Sequence, residues 1–455
     1  MSFNPDIPDI ISLTIGALLF LMVFVLIILS ALEKEYYSVK KSIILLLFPA
    51  LFLVIPFLDF PYQNHVLLGI SGFISLAFIV LVLPFNKRKK IYDYTFSNKV
   101  DERDIMFSRI RLKEGSENHK SYYSERPENK ETDERLKANP GLLSEGSTYY
   151  NLFQFASANA SFETVEAYHD HLYKDPAPIK KDLDAKQLTR YLKSWSKKLG
   201  AVDCGITELK DYHTYSKLGR KHNYGNDCTL DHKYAIAFTV EMDKDMMAAA
   251  PAGSTVMESG LQYMNAGSIA MQLASFLRNI GYESLAHIDG RYEVIAPLVA
   301  KDAGLGELGR MGLLMTPNLG PRVRIGVVTT NAPLNIDSPT FAPDVIDFCR
   351  ICKKCADCCP GKAISHQDRE DINGDIRWQI NQEECFKYWT VCGTDCGRCM
   401  AVCPYSHPNN LLHNFVRKGL KNSYLFRRFA LKMDNFLYGR KPAPGDTPNW
   451  IKNLE

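Results

Sequence analysis

The sequence predicts a mixed α/β or α+β core set between an apolar three-helix segment and a compact cysteine-rich domain. Three observations carry this prediction. Residues 1–90 hold three uninterrupted apolar stretches. The middle of the chain carries apolar residues at helical spacing in some windows and as short strand-like runs in others. Ten of the twelve cysteines fall between Cys349 and Cys403.

The 455 residues supply enough material for more than one domain. A net charge of +3, with no basic stripe carrying interleaved aromatics, argues against dedicated nucleic-acid binding. Twelve cysteines are too few for a disulfide scaffold in a chain of this length. Their clustering is metal arithmetic instead.

The apolar stretches run from about Ile10 to Leu32, Ile43 to Phe60 and Val66 to Phe85. Each matches a helix crossing a hydrocarbon layer about 30 Å thick. Three in succession exclude a single cleaved signal peptide, and the lack of internal charge argues against buried core helices. Lys34, Lys40 and Lys41 sit in the first connection, and Lys87-Arg88-Lys89-Lys90 follows the third span. The second connection has no Lys or Arg. The expected topology is multi-pass in the inner (cytoplasmic) membrane, with the N-terminus outside and the catalytic domain facing the cytoplasm. No twin-arginine export signal is expected.

Residues 91–140 are dense in charge and poor in apolar residues, which predicts a solvated linker or surface arm. Globular patterning begins at Leu142. Helices are expected near Glu163–Tyr173, Ala185–Lys198 and Met257–Ile280. Strands are expected at Tyr234–Val240 and Arg322–Thr329. Gly304-Leu305-Gly306-Glu307-Leu308-Gly309 fits G-x-G-x-x-G, but a helical run precedes it and a turn follows. It therefore lacks the strand-to-helix setting of a dinucleotide fingerprint. Its glycines are expected to let backbone approach a large flat group.

Cys349, Cys352, Cys355 and Cys359-Pro360 reproduce the C-x2-C-x2-C-x3-C-P run of bacterial ferredoxins. Short spacing lets three thiolates converge on one four-iron four-sulfur cubane. The cysteine before proline serves the other cluster. A second, shortened run is Cys396, Cys399 and Cys403-Pro404, with Cys385 upstream. Exchange between the runs gives one cluster on Cys349, Cys352, Cys355 and Cys403. The other falls on Cys359, Cys385, Cys396 and Cys399, with Cys392 as an alternative to Cys385. Zinc sites rarely show this spacing. Cys358 falls outside the spacing, and Cys204 and Cys228 are expected to be structural.

Gly304–Thr330 (GLGELGRMGLLMTPNLGPRVRIGVVTT) resembles the cobalamin-binding core of reductive dehalogenases. So do Phe348–Ser365, Glu384–Thr390 and Cys396–Asn414, the last containing CPYSHPNN. The resemblance covers about Leu142 to Arg417. It implies a nitroreductase-like corrinoid-binding core followed by a ferredoxin-like domain with two 4Fe-4S clusters. It also implies that cob(I)alamin, fed by the clusters, replaces a halogen by hydrogen on an aromatic or alkenyl organohalide. Carried over residue by residue, Tyr263 in GLQYMNAG matches the proton donor. Arg322 in GPRVR matches its basic partner, with Arg324 as a substitute. Asp289 in HIDG falls where some members carry asparagine. Gly304, Leu305, Gly306, Arg310, Pro321, Arg324 and His407 are assigned to the corrinoid. A cation beside a tyrosine favours the phenolate left after proton transfer.

The expected organisation is a membrane segment over 1–90, a charged linker over 91–140 and a corrinoid-binding domain over 141–335. The cluster domain follows over 336–420, then a C-terminal extension over 421–455. The expected partners are the membrane, an organohalide and an electron donor, either a ferredoxin, a flavodoxin or a quinol-linked reductase. Two other readings share these motifs. One is a corrinoid reductase similar to epoxyqueuosine reductase, which would not need membrane spans. The other is a non-catalytic membrane ferredoxin, which would not need 200 residues of globular domain ahead of its clusters.

Overall fold

The computed structural model describes residues 5–58, 60–84, 96–220 and 223–452. They divide into two compact units. One contains the described residues of 1–89 with 409–442, and the other those of 90–408 with 443–455.

The first unit opens with α1 (Ile7–Leu32), α2 (Tyr36–Leu45), α3 (Leu47–Val54) and α4 (Gln63–Val82). Three stretches are long and apolar enough to cross a membrane: Ile7–Leu32, Tyr36–Phe57 and Gln63–Val82, with mean hydropathies of 3.0, 2.1 and 2.4. The second begins earlier than its apolar run because the polar turns at Tyr36–Ser42 continue the helix. Helices with apolar surfaces all round associate through small residues and polar side-chain bonds. Here a Cβ on Gly16 would lie 2.8 Å from Phe52 Cβ, so glycine lets α1 approach α3. Ser12 Oγ donates to the Phe52 carbonyl at 3.1 Å, and the Ser30 and Ser38 hydroxyls are 2.9 Å apart. The basic group at 87–90 lies outside the described residues.

The second unit is built on a four-stranded antiparallel sheet in the order β1-β2-β6-β3. Its strands are β1 (Asp203–Glu208), β2 (Tyr234–Glu241), β3 (Ser284–His287) and β6 (Val323–Thr330). The register pairs Val240 with Arg324 and Phe238 with Gly326. A Cβ on Gly326 would stand 2.2 Å from the Phe238 ring, which explains glycine in mid-strand. Helices α5 (Leu152–Glu166), α6 (Ala185–Lys198) and α7 (Gly253–Asn279) bury one face of the sheet. Ala266, Ile269, Ala270, Leu273, Ala274 and Leu277 of α7 point into this core, as their spacing requires. Helix α8 (Ala296–Asp302) covers the other face with Val299 and Ala300. With its strands antiparallel and its helices packed on them, the core is of the α+β kind. A hairpin of β4 (Glu307–Leu308) and β5 (Leu314–Met315) leads into β6.

The charge-dense segment corrects the expectation of a linker. Residues 96–140 fold, because their charges find partners. Asp133 is fully buried against the Arg109 guanidinium at 2.8 and 3.0 Å and accepts from Tyr123 Oη at 2.8 Å. Glu102 accepts from the Gly219 amide at 2.7 Å and from Arg220 Nε at 3.0 Å. Buried charges are tolerated when paired and hydrogen-bonded in this way. Phe107 packs edge-on against Phe386, fastening the segment to the cysteine-rich region.

The C-terminal boundary also differs. The cysteine loops end before Asn409. Helices α9 (Leu411–Asn422) and α10 (Tyr424–Tyr438) then belong to the same unit as α1–α4.

Candidate active site

Tyr263 lies midway along α7, and Arg324 is the second residue of β6. The Arg324 guanidinium carbon stands 4.4 Å from the Tyr263 ring centre, and its Nη1 donates to Tyr263 Oη at 3.3 Å. Its Nη2 donates to Ser259 Oγ and to Asp395 Oδ2, each at 2.6 Å. Ser259 precedes Tyr263 by one helical turn, so both face the same strand. The Ser259 hydroxyl donates in turn to Asp395. Asp395 immediately precedes Cys396. The Tyr263–Arg324 pair and the second cysteine run are therefore joined by one ion pair.

Two opposing effects set the Tyr263 phenol. The Arg324 charge pulls its pKa down most strongly, but burial and the anions Asp289 and Asp395 together outweigh it. The pKa ends above the ordinary value. Burial likewise pushes the Asp289 carboxyl up, against the pull of Arg220 and Arg111.

A cavity of about 250 Å³ opens beside this pair. Its wall includes Tyr215, Tyr292, Ile295, Pro321, Val323 and Met400, besides Tyr263 and Arg324. Met400 follows Cys399, so the cavity touches the second cysteine run. The lining is mostly apolar with hydroxyls and one guanidinium converging. Among the described residues, Arg324 Nε and Asp395 Oδ1 are buried polar atoms with no hydrogen-bond partner. This lining suits a small, mostly apolar organic group with polar edges. A larger groove of about 510 Å³ between α6 and α7, lined by Tyr191, Phe276 and Ile280, carries none of the cysteines or this acid–base pair.

Other expected site residues lie elsewhere. Arg322 is not beside Tyr263. Its side chain is 3% exposed, pairs with Glu241 at 2.7 Å and donates to the Met242 and Ser406 carbonyls. It ties β2 and β6 to the turn after Cys403. The glycine motif also corrects its expectation. A Cβ on Gly304 would meet the Ser338 carbonyl oxygen at 2.7 Å, and one on Gly306 the Met315 carbonyl oxygen at 2.3 Å. These glycines admit the chain's own backbone, with Gly304 at φ +81°, and Leu305 is core. Arg310 is buried beneath the first cysteine run. It donates to the carbonyls of Cys349 at 3.0 Å, Ser365 at 2.7 Å and Gln367, and stacks on Trp378 at 4.8 Å. His407 follows the 404–406 turn and does not line the cavity.

The cysteines sit at short helix ends: Pro343–Cys352, Lys354–Cys358, Gln382–Cys392 and Arg398–Ala401. Burial pushes the Cys403 thiol well up, and the neighbouring charges adding to it are Cys349, Cys352 and Cys355. Burial raises Cys385 to about 11, with Cys359 the foremost neighbouring charge. For Cys399 the thiol neighbours are Cys396, Cys355, Cys385 and Cys359. Buried thiols that repel one another's anions are the donor set that a positively charged iron core stabilises. These neighbours span both runs, with Cys355 among those of Cys399. Cys392 instead directs its sulfur to the Thr394 carbonyl at 3.3 Å.

Sequence reasoning did not single out Ser259, Tyr215, Tyr292, Met400 or Asp395. Only two of these had a signal: the four-residue spacing from Ser259 to Tyr263, and an acid adjoining a ligand cysteine in CGTDCGRC.

A model of the 4Fe-4S dicluster domain matches residues 348–407. The tetrachloroethene reductive dehalogenase of Sulfurospirillum multivorans is 35% identical over 210 residues, covering 44% of this chain and 41% of that protein. A solved reductive dehalogenase structure, described as suggesting a mechanism for B12-dependent dehalogenation, superposes with a TM-score of 0.58. The identity there is 26%, over 68% of this chain and 46% of that one. The epoxyqueuosine reductase of Atelocyanobacterium thalassa is more distant, at 28% over 138 residues, 29% of this chain and 43% of that protein. The chain thus spans less than half the length of these relatives. In sequence and in fold alike, the chain is similar to reductive dehalogenases over part of their length.

Proposed function

We propose that this protein is a membrane-anchored reductive dehalogenase that replaces halogen by hydrogen on an aromatic or alkenyl organohalide. The observation that carries this reading is the Tyr263–Arg324 pair lining the same cavity as Met400, one residue from Cys399. Acid, substrate space and electron supply converge there. Cys349, Cys352, Cys355 and Cys403 would hold one 4Fe-4S cluster, and Cys359, Cys385, Cys396 and Cys399 the second. Residues 141–335 would hold the corrinoid, with Arg324, Pro321 and the hydroxyls of Tyr215 and Tyr292 toward it. Residues 336–408 would hold the clusters.

When bound, the corrinoid supplies the reducing equivalents that break the carbon–halogen bond. The balance is two electrons and one proton taken up, and one halide released. The chain's own task is the proton. Arg324 Nη1 donates to Tyr263 Oη, which leaves the phenol's hydrogen to point into the cavity. After transfer the phenolate remains beside a guanidinium, where it is stabilised electrostatically. Asp395 holds that guanidinium in place from the other side. Asp289 acts only as a neighbouring charge on Tyr263. Arg322, buried against Glu241, serves the framework. The clusters pass electrons one at a time from a cytoplasmic donor, a ferredoxin, a flavodoxin or a quinol-linked reductase.

Anaerobic reconstitution with cobalamin, followed by halide release from chlorinated ethenes and halophenols, tests the reading. Corrinoid uptake without halide release from any substrate would refute it. Turnover of epoxyqueuosine in tRNA would favour the more distant relatives.

A further inference from the structure

We propose that α9 and α10 form an interfacial element that binds the anionic phospholipid surface around the membrane helices. Residues 409–442 contain four arginines and four lysines against one acid, Asp434. That density is local, since the whole chain carries only +3. Both helices are amphipathic. Leu420, Phe426 and Leu437 are buried, and Arg427 Nη1 donates to the Leu420 carbonyl at 2.8 Å, closing the corner between the helices.

The outward faces mix rings with cations. On α9, Leu411, Phe415 and Lys418 follow at turn spacing, with Leu411 91% exposed and Phe415 52% exposed. On α10, Arg428, Phe429, Lys432 and Phe436 share one exposed face. In water such apolar exposure is unfavourable. At a lipid headgroup layer the rings enter the acyl boundary while the basic heads stay among phosphates.

The contacts within this unit favour a bilayer over an acidic protein as the occupant. Asn410 Nδ2 donates to Glu33 Oε1 at 2.7 Å, and His413 Nε2 lies 3.2 Å from the same oxygen. Glu33 caps the end of α1. The Lys41 ammonium lies 5.4 Å from both the Phe436 and Tyr37 ring centres. The pair is therefore tied to the α1–α2 connection, whose Lys34, Lys40 and Lys41 add to the same positive field. The basic surface is continuous with helices apolar enough to lie in lipid.

The test uses the full chain in nanodiscs of phosphatidylcholine alone or mixed with phosphatidylglycerol. In a Phe429→Trp variant, the emission in excess of the parent's four native tryptophans reports the site. The expected result in the anionic discs is a blue shift and quenching by brominated lipid. Both should weaken with added salt and with Lys418→Glu, Lys421→Glu, Arg428→Glu and Lys432→Glu combined. On the unsubstituted protein, amine labelling read by mass spectrometry should find Lys418 and Lys432 protected only in anionic discs. Water-like emission in both membranes, or quenching and labelling unchanged by phosphatidylglycerol, would overturn the proposal.

Discussion

Arg324 grips Tyr263 and Asp395 with different nitrogens of one guanidinium: Nη1 lies 3.3 Å from the phenol oxygen and Nη2 2.6 Å from the carboxylate. The basic partner of the acid is thus held by the loop that carries Cys396.

Removing the phenol should remove the proton. Tyr263→Phe is expected to keep iron and corrinoid content and to lose about 10²–10⁴-fold in turnover, the usual contribution of general acid catalysis. Halide release per bound corrinoid measures it. Parent-like turnover at full occupancy would mean that another acid serves the reaction.

Arg324 and Arg322 should separate cleanly. A general acid works while protonated, so turnover falls as pH rises through its pKa. Burial and the neighbouring anions hold the Tyr263 phenol above its ordinary value, and Arg324 opposes them. Arg324→Gln should therefore move the alkaline limb of kcat further up, while lowering kcat for want of phenolate stabilisation. Arg322→Leu takes the donor from the buried Met242 and Ser406 carbonyls and leaves Glu241, half exposed, to solvent, so it should chiefly cost stability, about 1–3 kcal/mol for buried acceptors left unpaired. A pH profile and a denaturation curve on each variant distinguish the two roles.

Asp395→Asn keeps the shape of the loop but releases the guanidinium. Turnover is expected to fall about 10-fold or more, as for a misplaced catalytic partner, with iron content unchanged. Asp395→Glu should recover part of the loss. An unaltered kcat in the Asn variant would show that Arg324 needs no such support.

The cysteine grouping predicts which substitutions cost which cluster. Cys403→Ser should disturb the same cluster as Cys352→Ser, although 51 residues separate them. Cys385→Ser should disturb the other, and Cys392→Ser neither. Iron analysis and the electron paramagnetic spectrum of the reduced protein decide it. Loss of iron on Cys392→Ser with none on Cys385→Ser would exchange their roles.

Much of this was legible in the chain because period and spacing are local properties. The strand at Tyr234–Glu241 follows from a short, nearly continuous apolar run, and the helix at Ala185–Lys198 from its apolar spacing and Asp184 capping. The apolar spans needed only length. What failed needed the third dimension. Residues 91–140 looked solvated because charge alone was counted, and only the fold brings Arg109 to Asp133 and Glu383. Arg322 and Arg324 are two residues apart on one strand, and no spacing rule states which of them reaches α7. The glycines of 304–309 matched a ligand motif, yet they serve the hairpin's own close backbone approach.

Arg310 has a consequence for electron flow. A redox centre exchanges electrons quickly when its surroundings need not rearrange as its charge changes. The Arg310 side chain clamps the carbonyls of Cys349, Ser365 and Gln367 and rests on the Trp378 indole, so the loop carrying Cys349, Cys352 and Cys355 is pinned. Its fixed positive charge lies next to Cys349, Cys352 and Cys355, where it would favour the reduced state of a cluster held by these thiolates. In the proposed assignment, the same residue would keep the reorganisation energy of a cluster on these cysteines low and bias its potential upward.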